Sequence, residues 1–186
     1  NQNIDFDTFS ASLALDASGN PVVTWTERGN NTFDIYVKRW TGTAWQLLGS
    51  DKLNNQPTGL SPSLVLDASG QPVVAYVEGT PGFNHFVYVK KFDGTNWQFV
   101  GSSAAELPSV TFNVSLALDN AGRPIVHYPM STNAHFKRFD GTNWQEFVKP
   151  ISSVSPQSLV LDSEGYPFIT VTRENDISTV TTSAFL

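Results

Sequence analysis

One ten-residue segment occurs four times in this 186-residue chain, and its repetition predicts an all-β fold of the β-propeller class. The copies read SLALDASGNP from Ser12, SLVLDASGQP from Ser63, SLALDNAGRP from Ser115 and SLVLDSEGYP from Ser158. Successive copies are spaced by 51, 52 and 43 residues. A period of about 47 residues is typical of propellers and other repeat arrays.

Each repeat divides into four short apolar runs separated by turn residues, which is the pattern of four β-strands. In the second repeat the predicted strands a, b, c and d cover Ser63 to Leu66, Pro72 to Val77, Phe86 to Phe92 and Trp97 to Val100. Four antiparallel strands make one blade of a propeller. We therefore expect a single domain, residues 1–186, with blades at about 11–50, 62–102, 114–149 and 157–186.

Two of the four kinds of connection are short and nearly constant. Asp16 and Gly19 bound the turn between strands a and b, and Asp93 and Gly94 begin the turn between c and d. Asp accepts backbone hydrogen bonds within a turn and Gly adopts positive φ, so we expect tight hairpins, not calcium loops, which need several carboxylates. The b–c and d–a loops vary in length and sequence from one repeat to the next. The hairpins should form one rim, the template rim, and the varied loops the opposite one, the variable rim.

Strand b is apolar on both sides in the second repeat, where Val73 to Tyr76 reads VVAY. A strand buried on both faces has this composition, so we expect blades that pack face to face on both sides. In the third repeat His127 replaces the Thr24, Ala75 and Thr170 of the other repeats, and we expect it to be buried and hydrogen-bonded between blades. The tryptophans that recur in strand d are expected in the blade core: Trp45, Trp97 and Trp144.

The fourth repeat ends before its strand d. Phe185 aligns with Phe92 and Phe139, so Leu186 stands where the c–d turn begins and the last blade is expected to lack its outer strand. An unpaired strand edge favours pairing with another chain. Three arrangements remain open. The first is a closed ring of four blades, and the second is half of a larger ring made by two copies. In the third, the chain exchanges a strand with a neighbour or is a piece of a longer propeller.

Composition excludes several classes of function. The chain has no cysteine, and its 11 basic and 17 acidic residues give a net charge of −6, which disfavours nucleic acid as a partner. No apolar run approaches the ~20 residues of a membrane helix. Three histidines in dissimilar positions do not predict a metal site, and no nucleotide-binding motif occurs, so no cofactor is expected. The polar, weakly charged composition is typical of secreted proteins, and we expect an extracellular or cell-surface location.

The runs SLALDASGNPVV, IYVKRW and FDGTNW resemble the repeat of tandem β-propellers in secreted or surface-exposed bacterial proteins. The resemblance covers nearly the whole chain. The run DGTNW also resembles, more distantly, the Asp-box of sialidase-type propellers and the kelch repeat. This resemblance implies a propeller fold and an extracellular setting.

Candidate ligand-binding residues lie where the repeats differ at the variable rim. Four of them end strand b in successive repeats: Glu27, Glu78, Met130 and Arg173. Three more combine aromatic and polar groups of the kind used in saccharide or peptide recognition: Phe83, His85 and Tyr128. Glu27 and Glu78 are expected to face a common depression, and a glycosidase would need two such carboxylates about 5 to 10 Å apart.

Because the strongest repetition is structural, we expect a non-enzymatic propeller without catalytic residues, whose variable rim binds a glycan or an extracellular protein. The alternative is an assembly subunit that self-associates through the unpaired edge of the last blade. A polysaccharide hydrolase, suggested by fold analogy, ranks third.

Overall fold

The computed structural model describes residues 8–82, 84–107, 113–130, 133–152, 155–173 and 176–181, and within these ranges the chain is built from strands. No helix in this part of the chain is long and apolar enough to cross a membrane. The strands are β1 (Thr8–Leu15), β2 (Pro21–Arg28), β3 (Phe33–Trp40) and β4 (Trp45–Leu47) in blade 1; β5 (Thr58–Leu66), β6 (Pro72–Gly79), β7 (His85–Phe92), β8 (Trp97–Phe99) and β9 (Ala105–Leu107) in blade 2; β10 (Ser115–Leu118), β11 (Pro124–Met130), β12 (Asn133–Phe139) and β13 (Trp144–Ser152) in blade 3; and β14 (Ser155–Leu161), β15 (Pro167–Arg173) and β16 (Asp176–Thr181) in blade 4.

Successive strands of each blade are antiparallel neighbours, so the predicted all-β architecture is confirmed. The outer strand departs from the prediction in the first two blades because a short loop interrupts it. In blade 1 the chain leaves β4 and returns at Leu53, whose N–H donates to the carbonyl of Ile35 at 2.7 Å. In blade 2 both β8 and β9 pair with β7. Blade 4 has three strands within the described residues.

The two tight hairpins form as their residues predict. Asp16 Oδ1 accepts hydrogen bonds from the N–H groups of Ser18 and Asn20, both at 2.9 Å, and Gly19 adopts a φ of +81°. Asp93 Oδ1 likewise accepts from the backbone of the c–d turn. An aspartate that folds onto its own turn fixes the loop without a ligand, which explains why the template rim is so uniform.

Strand a is longer than predicted. In blade 2 it begins at Thr58 rather than Ser63, and its register against β6 shifts between Leu60 and Ser63, where Ser61 adopts a φ of +52°. A bulge of this kind bends a strand while its pairing continues on both sides. The innermost strand thereby runs up to the variable rim and pairs with the end of strand b.

Blade 2 is buried on both faces, and every residue of β6 is buried. Its front face, which we define as the face toward the preceding blade, packs with Val22, Ile35 and Val37 of blade 1. Its back face, toward the following blade, packs with Leu116 and Val126 of blade 3. The prediction of two-sided packing is confirmed for this blade.

Blade 1 is buried on its back face alone, so the same prediction is wrong there. In β2 the fully buried Val22, Thr24 and Thr26 alternate with partly exposed residues. On the front face Leu13 and Leu15 are each 60% exposed, whereas Leu64, at the position of Leu13 in blade 2, is 5% exposed. The two strands have similar sequences, so the neighbouring blade decides their burial.

Two recurring hydrogen bonds join blade 1 to blade 2 and blade 2 to blade 3. At the inner strands Ser12 Oγ accepts from the N–H of Leu64 at 3.1 Å, and Ser63 Oγ accepts from that of Leu116 at 3.0 Å. At the outer strands two indole groups donate to carbonyls of the preceding blade: Trp97 Nε1 to Leu48 at 2.9 Å, and Trp144 Nε1 to Val100 at 3.1 Å. Trp97 and Trp144 are partly buried against the apolar core, as expected, and also link blades, whereas Trp45, in blade 1, is 46% exposed.

Replacing Trp144 by Phe is expected to lower the free energy of unfolding by about 1 kcal/mol, because the ring is kept and the donor to the blade 2 carbonyls is lost. Trp45→Phe is the matched control and should stay within ~0.5 kcal/mol of wild type, as exposed substitutions usually do. Urea denaturation of the three proteins measures both. Equal effects of the two substitutions would contradict the linking role of Trp144.

Candidate functional site

The four residues predicted at the end of strand b occupy equivalent places on the variable rim. Each pairs with the start of strand c: Glu27 with Asp34, Glu78 with Phe86, Met130 with Asn133, and Arg173 with Asp176. Directly opposed residues on neighbouring antiparallel strands have Cβ atoms about 4.5–5.5 Å apart. Phe83 and the side chain of Arg173 lie outside the described part of the structure. Among these pairs, Glu27 and Asp34 are both acids.

The opposed carboxylates of blade 1 are held by three neighbours. Trp25 Nε1 donates to Glu27 Oε2 at 3.2 Å, and Thr32 Oγ1 donates to Asp34 Oδ2 at 2.9 Å. Lys52, from the interruption in the outer strand, places Nζ 2.7 Å from Asp34 Oδ1. Like charges directly opposed on two strands destabilise a sheet, so this arrangement needs such partners. Paired acids in distinct environments are the usual basis of acid–base and nucleophilic chemistry.

Two aromatic rings adjoin this carboxylate pair on the same front face. The rings of Trp25 and Tyr36 have centroids 5.8 Å apart at an angle of 32°, and both residues are partly exposed. Burial, and then the negative charges of Asp34 and Glu27, raise the pKa of Tyr36 above its usual value. Its hydroxyl is therefore a neutral hydrogen-bond donor at physiological pH. Aromatic surface beside polar groups is suited to a sugar ring.

Glu78 lines a cavity of about 510 Å³ at the variable rim of blade 2. Its carboxylate is 3% exposed and accepts a hydrogen bond from the N–H of Asn55 at 3.0 Å. The other lining residues are Gln56, Gly79, Thr80, Gly82, Asn84, Phe86 and Tyr88. Amide, hydroxyl and aromatic groups around one carboxylate form a second place that suits a saccharide, although its acid is far less accessible than the pair in blade 1. A hollow of about 520 Å³ at the template rim has no carboxylate in its lining.

A buried lysine lies below Glu78 on the same face of blade 2. Lys90 is 6% exposed, donates to the carbonyl of Leu53 at 2.6 Å and lies 4.5 Å from the centre of the Phe99 ring. Burial lowers its pKa, and the charge of Glu78 opposes that shift. The hydrogen bond and the ring fix the ammonium group within the blade interface, where its role is structural.

Glu27 and Glu78 do not share a depression, contrary to the expectation from the sequence. Glu27 lies on the front face of blade 1, as the alternation along β2 shows. Glu78 follows Val74 and Tyr76 on the front face of blade 2, which packs on the back of blade 1. The sheet of blade 1 therefore stands between them. The acid that does oppose Glu27 is Asp34, which sequence reasoning missed although it directly precedes the apolar run of strand c.

The remaining candidates lie between blades 2 and 3. Tyr128 is 2% exposed and its ring stacks on His135 at 5.6 Å with an interplanar angle of 11°. His85 is 6% exposed, and burial lowers its pKa. Met130 is 38% exposed at the rim. Burial gives His85 and Tyr128 a packing role, and binding of a ligand by these residues stays a prediction.

His127 is buried as expected, but it is not hydrogen-bonded as expected. It is 1% exposed, and neither of its ring nitrogens has a hydrogen-bond partner among the described residues. Its ring packs on Phe136 at 5.0 Å. Burial, and then the charge of His135, lower the pKa of His127 to about 4. The expectation failed because the space between blades 3 and 4 offers aromatic contact in place of a polar partner.

Comparison with solved structures finds propellers whose sequences are only 11–14% identical to this chain. An alpha-L-arabinanase from Penicillium chrysogenum, solved with arabinobiose, is 14% identical with a TM-score of 0.61, over 90% of this chain and 58% of that one. A glycosyl hydrolase from Bacteroides ovatus is 13% identical with a TM-score of 0.57, over 89% and 60%. An alpha-L-arabinofuranosidase from Fusarium graminearum is 11% identical with a TM-score of 0.58, over 90% and 62%.

The chain has the β-propeller fold. It spans about three fifths of the length of each of these three proteins. No family model matches the chain, and no curated protein matches it. At these identities the likeness shows the fold alone.

These comparisons correct the functional expectation. The prediction of a non-enzymatic binding propeller is wrong, because the propellers that this chain resembles are mostly glycoside-cleaving enzymes. The alternative of a subunit whose function is assembly through the strand edge of the last blade was part of that prediction and is set aside with it. The hypothesis ranked third, a polysaccharide hydrolase, becomes the leading one.

Proposed function

We propose that this chain contributes the active site of a retaining polysaccharide hydrolase, with Glu27 and Asp34 as its catalytic carboxylates. The observation that carries the proposal is their direct opposition on neighbouring strands of a partly exposed sheet face. Retaining glycosidases use two carboxyl groups about 5–5.5 Å apart, and inverting ones use about 6.5–9.5 Å. Side chains directly opposed on neighbouring strands start from Cβ atoms about 4.5–5.5 Å apart, and this closeness supports the shorter spacing.

The surroundings of the two acids support different roles for them. Asp34 is paired with the ammonium group of Lys52, so it acts as the nucleophile. Glu27 meets a neutral donor, the indole of Trp25, through Oε2 and keeps Oε1 for a proton, so it acts as the acid. Asp34 attacks the anomeric carbon while the proton of Glu27 passes to the leaving oxygen. Glu27 then takes a proton from water, whose oxygen displaces Asp34 and completes hydrolysis.

A neutral polysaccharide is the proposed substrate. The net charge of −6 and the two acids at the site repel an anionic polymer. Trp25 and Tyr36 supply an aromatic surface and a hydroxyl donor for an uncharged sugar ring. The likeness to arabinan-cleaving propellers makes arabinan the first polymer to test. An extracellular location is proposed with it, because polysaccharides of this kind lie outside cells. A protein partner at the variable rim stays a prediction.

Hydrolysis is expected to release sugars with the anomeric configuration of the substrate. The protein is incubated with linear arabinan and with neutral xylan, galactan and glucan, and released reducing ends are measured. Proton NMR of the first products on an active polymer then reports their anomeric form. Retention supports the opposed pair, and inversion contradicts the assignment of Asp34 as nucleophile. Absence of released sugar from every polymer would overturn the proposed function.

A further inference from the structure

The cavity at the end of β6 has an acid without a second carboxylate to act with it. Glu78 is the one acid among the described residues that line this cavity. Across the strands Glu78 opposes Phe86, whereas Glu27 in blade 1 opposes Asp34. Cleavage of a glycosidic bond by the route proposed for blade 1 needs two carboxyl groups. A ligand of this cavity is therefore bound without being cleaved there.

The repeat places related aromatic groups beside this cavity and beside the carboxylate pair. Tyr76 opposes Tyr88 in blade 2 as Trp25 opposes Tyr36 in blade 1. The two tyrosine rings of blade 2 have centroids 6.2 Å apart at an angle of 35°. In each blade the acid at the end of strand b follows the strand-b aromatic by two positions, on the same face. Blade 2 thus keeps the aromatic pair and the first acid of blade 1.

A buried hydroxyl lies behind Glu78 on the same strand face. Tyr76 is fully buried, and its Oη has no hydrogen-bond partner among the described residues. Burial, and then the charge of Glu78, raise the pKa of Tyr76, so the hydroxyl is a neutral donor close to that carboxylate at physiological pH. A buried donor without a partner is unfavourable. A sugar hydroxyl both accepts and donates, so one such group can serve an unused donor and a carboxylate acceptor together.

The charges and the lining of the cavity favour an uncharged ligand. Lys90, buried on the same face, is close enough for the charge of Glu78 to oppose the fall in pKa that burial causes, so the carboxylate has a nearby countercharge. Amide and hydroxyl groups beside aromatic rings suit the hydroxyls and the apolar faces of sugars. The neutral side chains that line the cavity are of these kinds: Gln56, Thr80, Asn84, Phe86 and Tyr88.

We propose that the cavity at Glu78 is a non-catalytic binding site for one sugar residue of a neutral polysaccharide. This inference rests on the proposed function, since the ligand is the polymer that blade 1 is proposed to cleave. The sheet of blade 1 stands between Glu27 and Glu78, so the sugar held in the cavity is not the one undergoing cleavage. A second point of attachment raises the local concentration of the polymer around the protein.

Titration of the ¹⁵N-labelled Glu27→Gln chain with neutral trisaccharides tests this site by NMR. Arabinotriose, xylotriose, galactotriose and cellotriose are each added up to about 20 mM. At least one is expected to shift the backbone amides of Gly79, Thr80 and Asn84 saturably, with a dissociation constant of about 1–10 mM, as is usual for a small ligand held by a few groups. No saturable shift of these amides with any of the four sugars would overturn the proposal.

The same spectra separate this site from the proposed hydrolase. The indole N–H of Trp25, which donates to Glu27, reports binding at the carboxylate pair, and the amides of Gly79 and Thr80 report binding at the cavity. Binding needs no turnover. Absence of hydrolysis by the wild-type chain would therefore leave this test intact, and an empty cavity would leave measured hydrolysis unexplained by nothing but its own site in blade 1.

Two substitutions place the sugar in the cavity. Thr80→Trp adds bulk at a partly exposed lining position and is expected to weaken binding at least tenfold, while Thr43→Trp, on an exposed hairpin of the template rim, is the matched control. Tyr76→Phe removes a hydroxyl that has no partner, so it should leave thermal unfolding unchanged or raised and weaken binding about 5- to 10-fold. Wild-type affinity in both cavity variants would place the sugar elsewhere and refute the proposal.

Discussion

Glu27→Gln and Asp34→Asn are each expected to lower kcat/KM on the active polysaccharide by about 10²- to 10⁴-fold. Gln cannot give a proton to the leaving oxygen, and Asn cannot form the glycosyl ester. The amide that Glu27→Gln introduces can still accept the hydrogen bond from Trp25, whereas the amide that Asp34→Asn introduces can accept only one of the two hydrogen bonds that Thr32 and Lys52 donate to Asp34, so the activity of Asp34→Asn is compared with its own thermal stability. Initial rates of reducing-end release, with thermal unfolding of the same samples, measure the effect.

The stability of these variants separates a catalytic pair from a structural one. Removing one of two opposed like charges relieves repulsion, so Glu27→Gln should unfold at the same temperature as wild type or above it. Glu164→Gln, on an exposed hairpin of the template rim, is the control for an acid-to-amide change and should leave the rate unchanged. A full rate in both site variants would exclude the pair as the catalytic groups, and a rate lost together with thermal stability would mean that they only support the fold.

Lowering the pH from 7 to 4 is expected to cost about 3 kcal/mol of stability through His127 alone. Burial holds the pKa of this ring at about 4 in the folded chain, below the ordinary value of 6.5 that it regains on unfolding. The unfolded state therefore binds more protons between these two values, and stability is complete above pH 6.5 and falls progressively toward pH 4. Urea denaturation at half-unit steps of pH measures the slope.

His127→Thr isolates this contribution, since Thr24 and Thr170 occupy the same place in other blades. Carboxylates such as Asp67 and Asp119, whose pKa values are lowered, destabilise both proteins alike in acid. The difference between wild type and variant should therefore shift by about 3 kcal/mol between pH 7 and pH 4, in favour of the variant in acid. Parallel stability profiles would show that His127 is hydrated or paired in solution.

The blade architecture was predictable because it depends on local chemistry that the chain repeats. Asp16 with Gly19, and Asp93 with Gly94, specify their turns by hydrogen bonds within a few residues, and the structure contains both hairpins. Because these turns are short, the apolar runs that they connect pair with their neighbours in the chain as an antiparallel meander. The outer strands were harder to predict, because a loop that ends at Leu53 interrupts the strand. The residue to which Leu53 hydrogen-bonds lies almost twenty residues earlier in the chain.

The proposed catalytic pair was not predictable to the same degree. Which residue opposes Glu27 depends on the register between β2 and β3, and that register is fixed by the length of a loop that differs from blade to blade. Aligned by repeat, the partner is Asp34 in blade 1 but Phe86 in blade 2. Sequence reasoning found the four strand-b positions and paired Glu27 with the wrong acid, because faces of a sheet are assigned only once the neighbouring blade is known.

Burial of the first blade was likewise beyond the sequence. Val22 to Trp25 and Val73 to Tyr76 are nearly interchangeable as strings, yet the first is buried on one side and the second on both. The hydrophobic pattern shows which face of a strand is apolar. It does not show whether a neighbouring blade is present to bury that face.

The serine and tryptophan bonds between blades have an evolutionary consequence. Ser12 and Trp97 each reach only the adjacent blade, so the energetics are those of a one-dimensional array with nearest-neighbour coupling. Duplication of the repeat in a gene supplies a new blade that already carries both halves of the junction. Such a chain can change its number of blades without altering a residue in those it has, leaving the loops of the variable rim free to diverge in sequence.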